Sequence, residues 1–268
     1  VRISTNARVD RIVVEQGTAV AVELESGEKI SAGVIVSNTD VKATFLDLVG
    51  TKNLDAMFCH RVENYRCRGN VAKAFFGFSG LQAFSSLEHG QLNQRLLIAP
   101  DQRYIEHAFN HVKYGECSQN PVVEMSIPTL VEPTLAPSGY HVLSATVAYA
   151  PYEHKFGWDS QKTLFLASVM STIDGYAPGF SDSVEVSTLL TPNDIEELFN
   201  NSGGHWHHGE LGIDQSFMMR PVHGAVQYDT PIKGLFLCGA GTHPGGGITG
   251  VPGRNAAQRI LENGVGGK

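Results

Sequence analysis

The sequence predicts an α+β fold: a largely antiparallel or mixed sheet plus helices, and a C-terminal strand–loop–helix. Three observations lead there. The N-terminal stretch carries short apolar β-branched runs separated by glycine turns. Two further strand-like runs, 122–127 and 141–148, flank a turn rich in proline and glycine, a spacing that suits an antiparallel pair. The chain closes on an apolar run, a glycine-rich loop and an amphipathic helix.

In order, Arg11-Ile12-Val13-Val14 and residues 19–24 read as strands, and Val34-Ile35-Val36 as a third strand of the same meander, apolar enough to be buried on both faces. Asn38-Thr39-Asp40 starts a helix that Asp40 caps, followed by Val41, Phe45, Leu46 and Leu48 near helical spacing. Residues 71–78 form an aromatic-rich strand whose Phe75, Phe76 and Phe78 either fill a core or line an apolar tunnel. Ile105, Ala108, Phe109 and Val112 mark one helix face, and Leu166, Met170 and Ile173 another within 160–173. Thr191-Pro192-Asn193-Asp194 begins a helix to about Phe199, with Thr191 as N-cap and Pro192 at the first position, where its missing N–H is harmless. The last helix spans about 251–263, with Ala256, Ala257, Ile260 and Leu261 as its buried side.

Composition narrows the function. The 268 residues are 42% hydrophobic, and Lys+Arg 20 against Asp+Glu 27 leaves a formal charge of -7. A nucleic-acid partner would need a basic face that is not there. No apolar run approaches the roughly 20 residues of a spanning helix. Cys59, Cys67, Cys117 and Cys238 form no C-x-x-C pair and read as free thiols in a reducing compartment, although Cys59 and Cys67 could pair. Dithiol exchange and a zinc knuckle therefore have no support. The opening Val1-Arg2-Ile3-Ser4-Thr5 reads as mid-strand, so the expectation is a chain that begins inside a larger protein.

The chemistry concentrates in residues 239–250, where six of twelve residues are glycine: Gly239-Ala240-Gly241-Thr242-His243-Pro244-Gly245-Gly246-Gly247-Ile248-Thr249-Gly250. Glycines let backbone N–H groups approach a guest, and the helix start adds partial positive charge. An anionic or electron-accepting guest fits, either a phosphate or the carbonyl edge of a flavin ring. The loop is no Walker A motif, and Gly239-x-Gly241-x-x-Pro244 lacks the third glycine of a dinucleotide fingerprint. His205-Trp206-His207-His208, with Glu210 and Asp214 nearby, raises a metal site against ordinary hydrogen-bonded histidines, without H-E-x-x-H spacing. No G-x-S-x-G elbow surrounds Ser144 or Ser216, which disfavours a hydrolase. Asn255 reads as bonding within the terminal helix region, and Thr242 and His243 either satisfy loop carbonyls or serve the site.

The string from Gly234 to Gly247, continued by Gly250, Gly253 and Arg254-Asn255-Ala256-Ala257, resembles the C-terminal signature of the phytoene desaturase-like flavoproteins. Ser37-Asn38-Thr39, Glu132-Pro133-Thr134-Leu135-Ala136-Pro137, Tyr176-Ala177-Pro178-Gly179-Phe180, Leu190-Thr191-Pro192, Asp214-Gln215 and Arg220-Pro221 extend the likeness to nearly the whole chain. The resemblance implies the C-terminal part of an FAD-dependent oxidoreductase that abstracts hydride from a substrate C–H onto flavin. It divides the chain into a 1–50 meander beside the FAD domain, a 51–232 substrate domain and a 233–268 segment of a split Rossmann-like FAD domain. FAD contacts would come from Val9 on the adenine side and from Gly239, Ala240, Gly241, Gly245, Gly246, Gly247, Ile248, Thr249 and Gly250. Arg220 and His243 would lie on the substrate side. The implied partners are FAD, a small apolar substrate and the missing N-terminal half of the same protein, with a homo-oligomer left open. The implied compartment is a bacterial cytoplasm or a mitochondrial matrix. A non-catalytic binding module and an amine oxidase-type flavoprotein remain as alternatives.

Overall fold

The computed structural model describes residues 1–264, so the last four residues of the expected 233–268 segment lie outside the described residues. The chain divides into two units, one built from Val1–Arg68 and Phe199–Lys268, the other from Gly69–Leu198. The 51–232 stretch expected as one domain is thus shared: 69–198 forms a unit alone, while 51–68 and 199–232 pack with the two chain ends.

In the first unit, β1 (Val9–Glu15), β2 (Thr18–Leu24) and β3 (Lys29–Ser31) form an antiparallel meander. The third strand expected at 34–36 is not part of it. The strand β4 (Ile35–Ser37) leaves the meander and pairs in parallel with a strand from the far end of the chain. Nor is β4 buried on both faces, since Val36 is 45% exposed between buried Ile35 and Ser37. The alternation is that of a strand with one wet face, which the apolar sequence alone conceals. Asp40 caps the next helical stretch as expected: its Oδ1 accepts from the N–H groups of Lys42 and Ala43 at 2.9 and 3.1 Å. That stretch, 43–50, is π-helical rather than α-helical. Asp55 then caps α1 (Ala56–Glu63), which the sequence reading missed. Phe45 and Phe58 meet edge to face with ring centroids 4.8 Å apart in this unit's core, a contact worth about 0.5–1.5 kcal/mol beyond its buried area.

The second unit is a five-stranded antiparallel sheet in the order β6-β7-β8-β5-β9. Its strands are β5 (Val71–Ser79), β6 (Leu96–Ile98), β7 (Val123–Ser126), β8 (Tyr140–Ala148) and β9 (Val184–Leu190). Strict alternation along β5 sends Ala72, Ala74, Phe76 and Phe78 into the core and leaves Phe75 half-buried on the other face, as a period-2 strand requires. Phe76 and Phe78 are therefore core residues. The helices of this unit are α2 (Gln102–Lys113), α3 (Trp158–Asp174), α4 (Phe180–Ser183) and α5 (Pro192–Phe199), the last ending at the boundary residue. On α3 the fully buried residues are Phe165, Val169 and Ile173; Leu166 and Met170 only flank them. At the start of α5 the Thr191 hydroxyl accepts from the Asp194 N–H at 3.2 Å. The Asp194 carboxylate accepts in return from the Thr191 N–H at 2.7 Å, a reciprocal cap.

The chain then re-enters the first unit. The strand β10 (Leu235–Leu237) lies against β4, Leu235 opposite Ile35, and the glycine loop leads to α6 (Val251–Glu262). On α6 the buried residues are Pro252 and Ala256, whereas Leu261 is 70% exposed and Ala257 also faces outward. The helix is rotated from the expected face because its polar side is fastened: Asn255 and Arg259 bond to Tyr228 and Asp229.

Candidate functional site

The glycines of the loop fall into two physical kinds. Gly239 (φ +89) sits where a Cβ would lie 1.8 Å from the Asn38 Oδ1, on the segment that follows β4. A Cβ at Gly241 would meet the His208 Cβ at 3.3 Å, and one at Gly246 the His207 Nδ1 at 2.9 Å. These three glycines let the chain pack on itself. Gly247 (φ +110) and Gly250 (φ +71) have no such tight neighbour, and both are exposed.

The second half of the loop is the part open to a guest. Residues 247–250 are exposed, Ile248 fully so, and they run directly into the first turn of α6. Among the described residues, the backbone N–H groups of 246–250 donate to no acceptor in the chain. At this end the Thr249 hydroxyl accepts from the Val251 N–H at 3.3 Å. A run of free donors at a helix start is electropositive and accepts an anion or a polarised carbonyl.

Beneath the loop lies Arg220, 1% exposed. Its guanidinium donates to the carbonyls of His207 (2.6 Å), Ala240 (2.9 Å), Glu210 (3.1 Å), Gln215 (3.4 Å) and Gly209 (3.5 Å). It forms no ion pair among the described residues. Burial pulls its pKa below the usual arginine value, and the five carbonyls take the place of a counter-ion. Ala240 is the link to the loop.

The strap 203–210 carries the histidine cluster. It packs closely on 65–68: a Cβ at Gly203 would lie 2.2 Å from the Cys67 carbonyl, and one at Gly209 2.1 Å from the Tyr65 hydroxyl. The acidic residues near it are already committed. Arg66 pairs with Glu210 at 3.0 Å and bidentately with Asp214 at 2.8 and 2.7 Å, while the Gln215 amide brackets the Arg66 backbone. Burial, then the neighbouring His207 and Arg220, pushes His205 down to about 4. His207 and His208 are lowered too, chiefly by burial. The His208 Nδ1 and the His243 Nδ1 are both buried without a hydrogen-bond partner.

A pH dependence follows. An unfolded histidine titrates near 6.5, so below that pH the unfolded chain binds a proton that folded His205 refuses until about 4. The stability that neutral His205 permits is complete above about pH 6.5 and is lost progressively as pH falls toward 4. Urea unfolding monitored between pH 7 and 4 should show a falling midpoint, with a shallower fall in His205→Asn. An equal fall in both proteins would remove His205 as the cause.

His243 donates nothing from its ring, but its carbonyl accepts from the Tyr228 hydroxyl at 2.7 Å, which in turn accepts from the Asn255 amide at 2.8 Å. This relay ties α6 to the middle of the loop. Tyr228 escaped the sequence reading, since nothing around it marks it. Thr242 satisfies a loop carbonyl, donating to Gly239 at 3.0 Å. Val9 lies at the start of β1, opposite Leu24. The structure therefore brings together 239–250, Arg220 and His243, and leaves Val9 in the meander.

A glycine loop between a parallel strand pair and a helix shares one unit with a β-meander, and a second unit is built on an antiparallel sheet; together they define a mixed helix-and-sheet fold. A crystal structure of an oxidoreductase from Methanosarcina mazei shares it, with a TM-score of 0.58 at 15% identity over 95% of this chain and 48% of that one. No family model matches the chain. Pyridine nucleotide-disulfide oxidoreductase domain-containing protein 2 of Rattus norvegicus is 35% identical over 97% of this chain and 47% of its own length. The neurosporene-forming phytoene desaturase of Cereibacter sphaeroides is 28% identical over 92% of this chain and 46% of its own. The chain is homologous to these two proteins, and it spans about half the length of the curated relatives it matches.

Proposed function

We propose that the chain is the C-terminal part of an FAD-dependent oxidoreductase, in which residues 246–250 and the start of α6 receive the flavin. The observation that carries this reading is the run of uncommitted backbone N–H groups on an exposed loop at a helix N-terminus. Their donors suit the pyrimidine edge of an isoalloxazine, with the N–H groups of Ile248 and Thr249 facing N1 and O2. Negative charge at that edge is favoured by the helix start. Bound FAD would supply the hydride acceptor for a substrate C–H. Gly239, Gly241 and Gly246 then act by packing, and Arg220 holds Ala240 and the strap in place beneath the loop. On the resemblance alone, Val9 is assigned to the adenine side and His243 to the substrate side.

The G-x-G-x-x-G spacing of Gly245, Gly247 and Gly250 opens α6, but no parallel strand follows that helix among the described residues, so in this reading the pyrophosphate cradle comes from the part of the relatives' length that the chain does not span. Alone, the chain is expected to bind FAD weakly or not at all. The flavin absorbance spectrum of the purified chain with FAD, alone and combined with that complementary part, tests this. Binding that appears only in the combination supports the reading. A yellow, stoichiometric complex of the chain alone overturns the shared-site proposal, and no binding in either form overturns the flavin assignment.

A further inference from the structure

The second unit carries a cleft of about 430 Å³ that plays no part in the reading above, lined by Tyr104, His107, His111 and residues 116–120. Most polar groups of its wall are already committed. The Tyr104 hydroxyl donates to the Pro121 carbonyl at 3.0 Å. Glu116 is paired with Lys155 at 3.0 Å. The Ser118 hydroxyl donates to the Asn120 carbonyl at 3.0 Å and accepts from its N–H at 3.1 Å. The Cys117 thiol, pushed up to about 12 by burial, stays protonated.

What remains, beside the side-chain amides of Gln119 and Asn120, is a pair of imidazoles. His107 and His111 stand one turn apart on α2, both exposed, both lining the cleft, and neither side chain makes a hydrogen bond among the described residues. At i and i+4 their Cβ atoms are about 5–6 Å apart on one helix face. That is the spacing at which two histidines of a helix share one metal ion. No group of three or more His, Cys, Asp and Glu among the described residues is arranged to hold a metal, so the protein offers two nitrogens and water must fill the other positions.

We propose that this cleft binds a divalent transition-metal ion of the zinc type through His107 and His111, with water completing its coordination. Imidazole is a favoured ligand for this class of ion, whereas magnesium and calcium prefer carboxylate oxygens, and the carboxylate of this wall, Glu116, is paired with Lys155. The ion would bridge two successive turns of α2 beside the 116–120 segment and would stabilise the folded helix, because the unfolded chain does not hold the two rings together.

Calorimetric titration of the whole chain with zinc chloride tests the site, with cobalt(II) absorption as a second readout and circular dichroism as the check that each variant is folded. The expected result is one ion per chain, a rise in melting temperature with zinc, and loss of both signals in His107→Asn and in His111→Asn. Asparagine at these exposed positions leaves the core of the helix intact. No heat with the native chain, or heat that persists when both histidines are replaced, overturns the proposal. In the second case the ion sits elsewhere, and the histidines of the 205–208 strap are the first place to look.

Discussion

Arg220→Met should destabilise the chain by about 3–5 kcal/mol, the largest single loss expected among polar residues. Methionine matches much of the arginine's volume, so little of this comes from packing. The cost comes from carbonyls. His207, Gly209, Glu210, Gln215 and Ala240 all present oxygens to the guanidinium, and each buried acceptor left without a donor costs about 1–3 kcal/mol unless water or a shift relieves it. Lysine should recover only part of the loss, because an ammonium cannot span acceptors arranged around a planar fork. Equilibrium urea unfolding of the native chain and both variants measures this. A loss below about 1 kcal/mol for methionine would mean that water replaces the guanidinium and that the hub is not rigid.

The second large effect is expected at Gly239. Alanine there would place a methyl 1.8 Å from the Asn38 Oδ1 at a φ of +89. The left-handed backbone costs an alanine roughly 1–2 kcal/mol, and relief of the overlap must move the end of β10 away from β4 or displace Asn38. The total should reach about 3 kcal/mol or more. The two contributions separate in a double-mutant comparison. With Asn38→Ala in place, Gly239→Ala should lose its steric part and keep its backbone part. Equal penalties in both backgrounds would show that the contact with Asn38 is not what demands glycine. At Gly250, where no neighbour lies within 4 Å, the same change should cost only the backbone part.

How much of this could be read in the sequence depends on where each signal resides. The start of α5 was legible because Thr191, Pro192 and Asp194 act on one another within three residues. The Asp40 cap was legible for the same reason. The strand β9 was missed because Glu185, Val186, Ser187 and Thr188 all face solvent, so no alternation marks them. Assigning 34–36 to the meander failed because the partner that claims β4 lies at 235–237, beyond any local pattern. The glycine loop announced itself by composition. Its division into glycines that pack against Asn38, His207 and His208 and glycines that leave donors free did not, because it depends on neighbours distant in sequence. Arg220 was singled out only by the resemblance, and its place as a buried hub carried no local signal, since its acceptors are backbone carbonyls and every residue has one.

The pairing of β4 with β10 also sets an order of events during synthesis. Ile35 finds Leu235 only after 235 − 35 = 200 further residues have been made. At about 5–20 residues per second, a typical translation rate, that is a wait of roughly 10–40 s. The unit formed by Gly69–Leu198 is continuous and complete well before then. The nascent chain therefore carries the complete 69–198 segment while residues 1–68, with the edge of β4 unpaired, await their partner. That interval is when a chaperone would be needed.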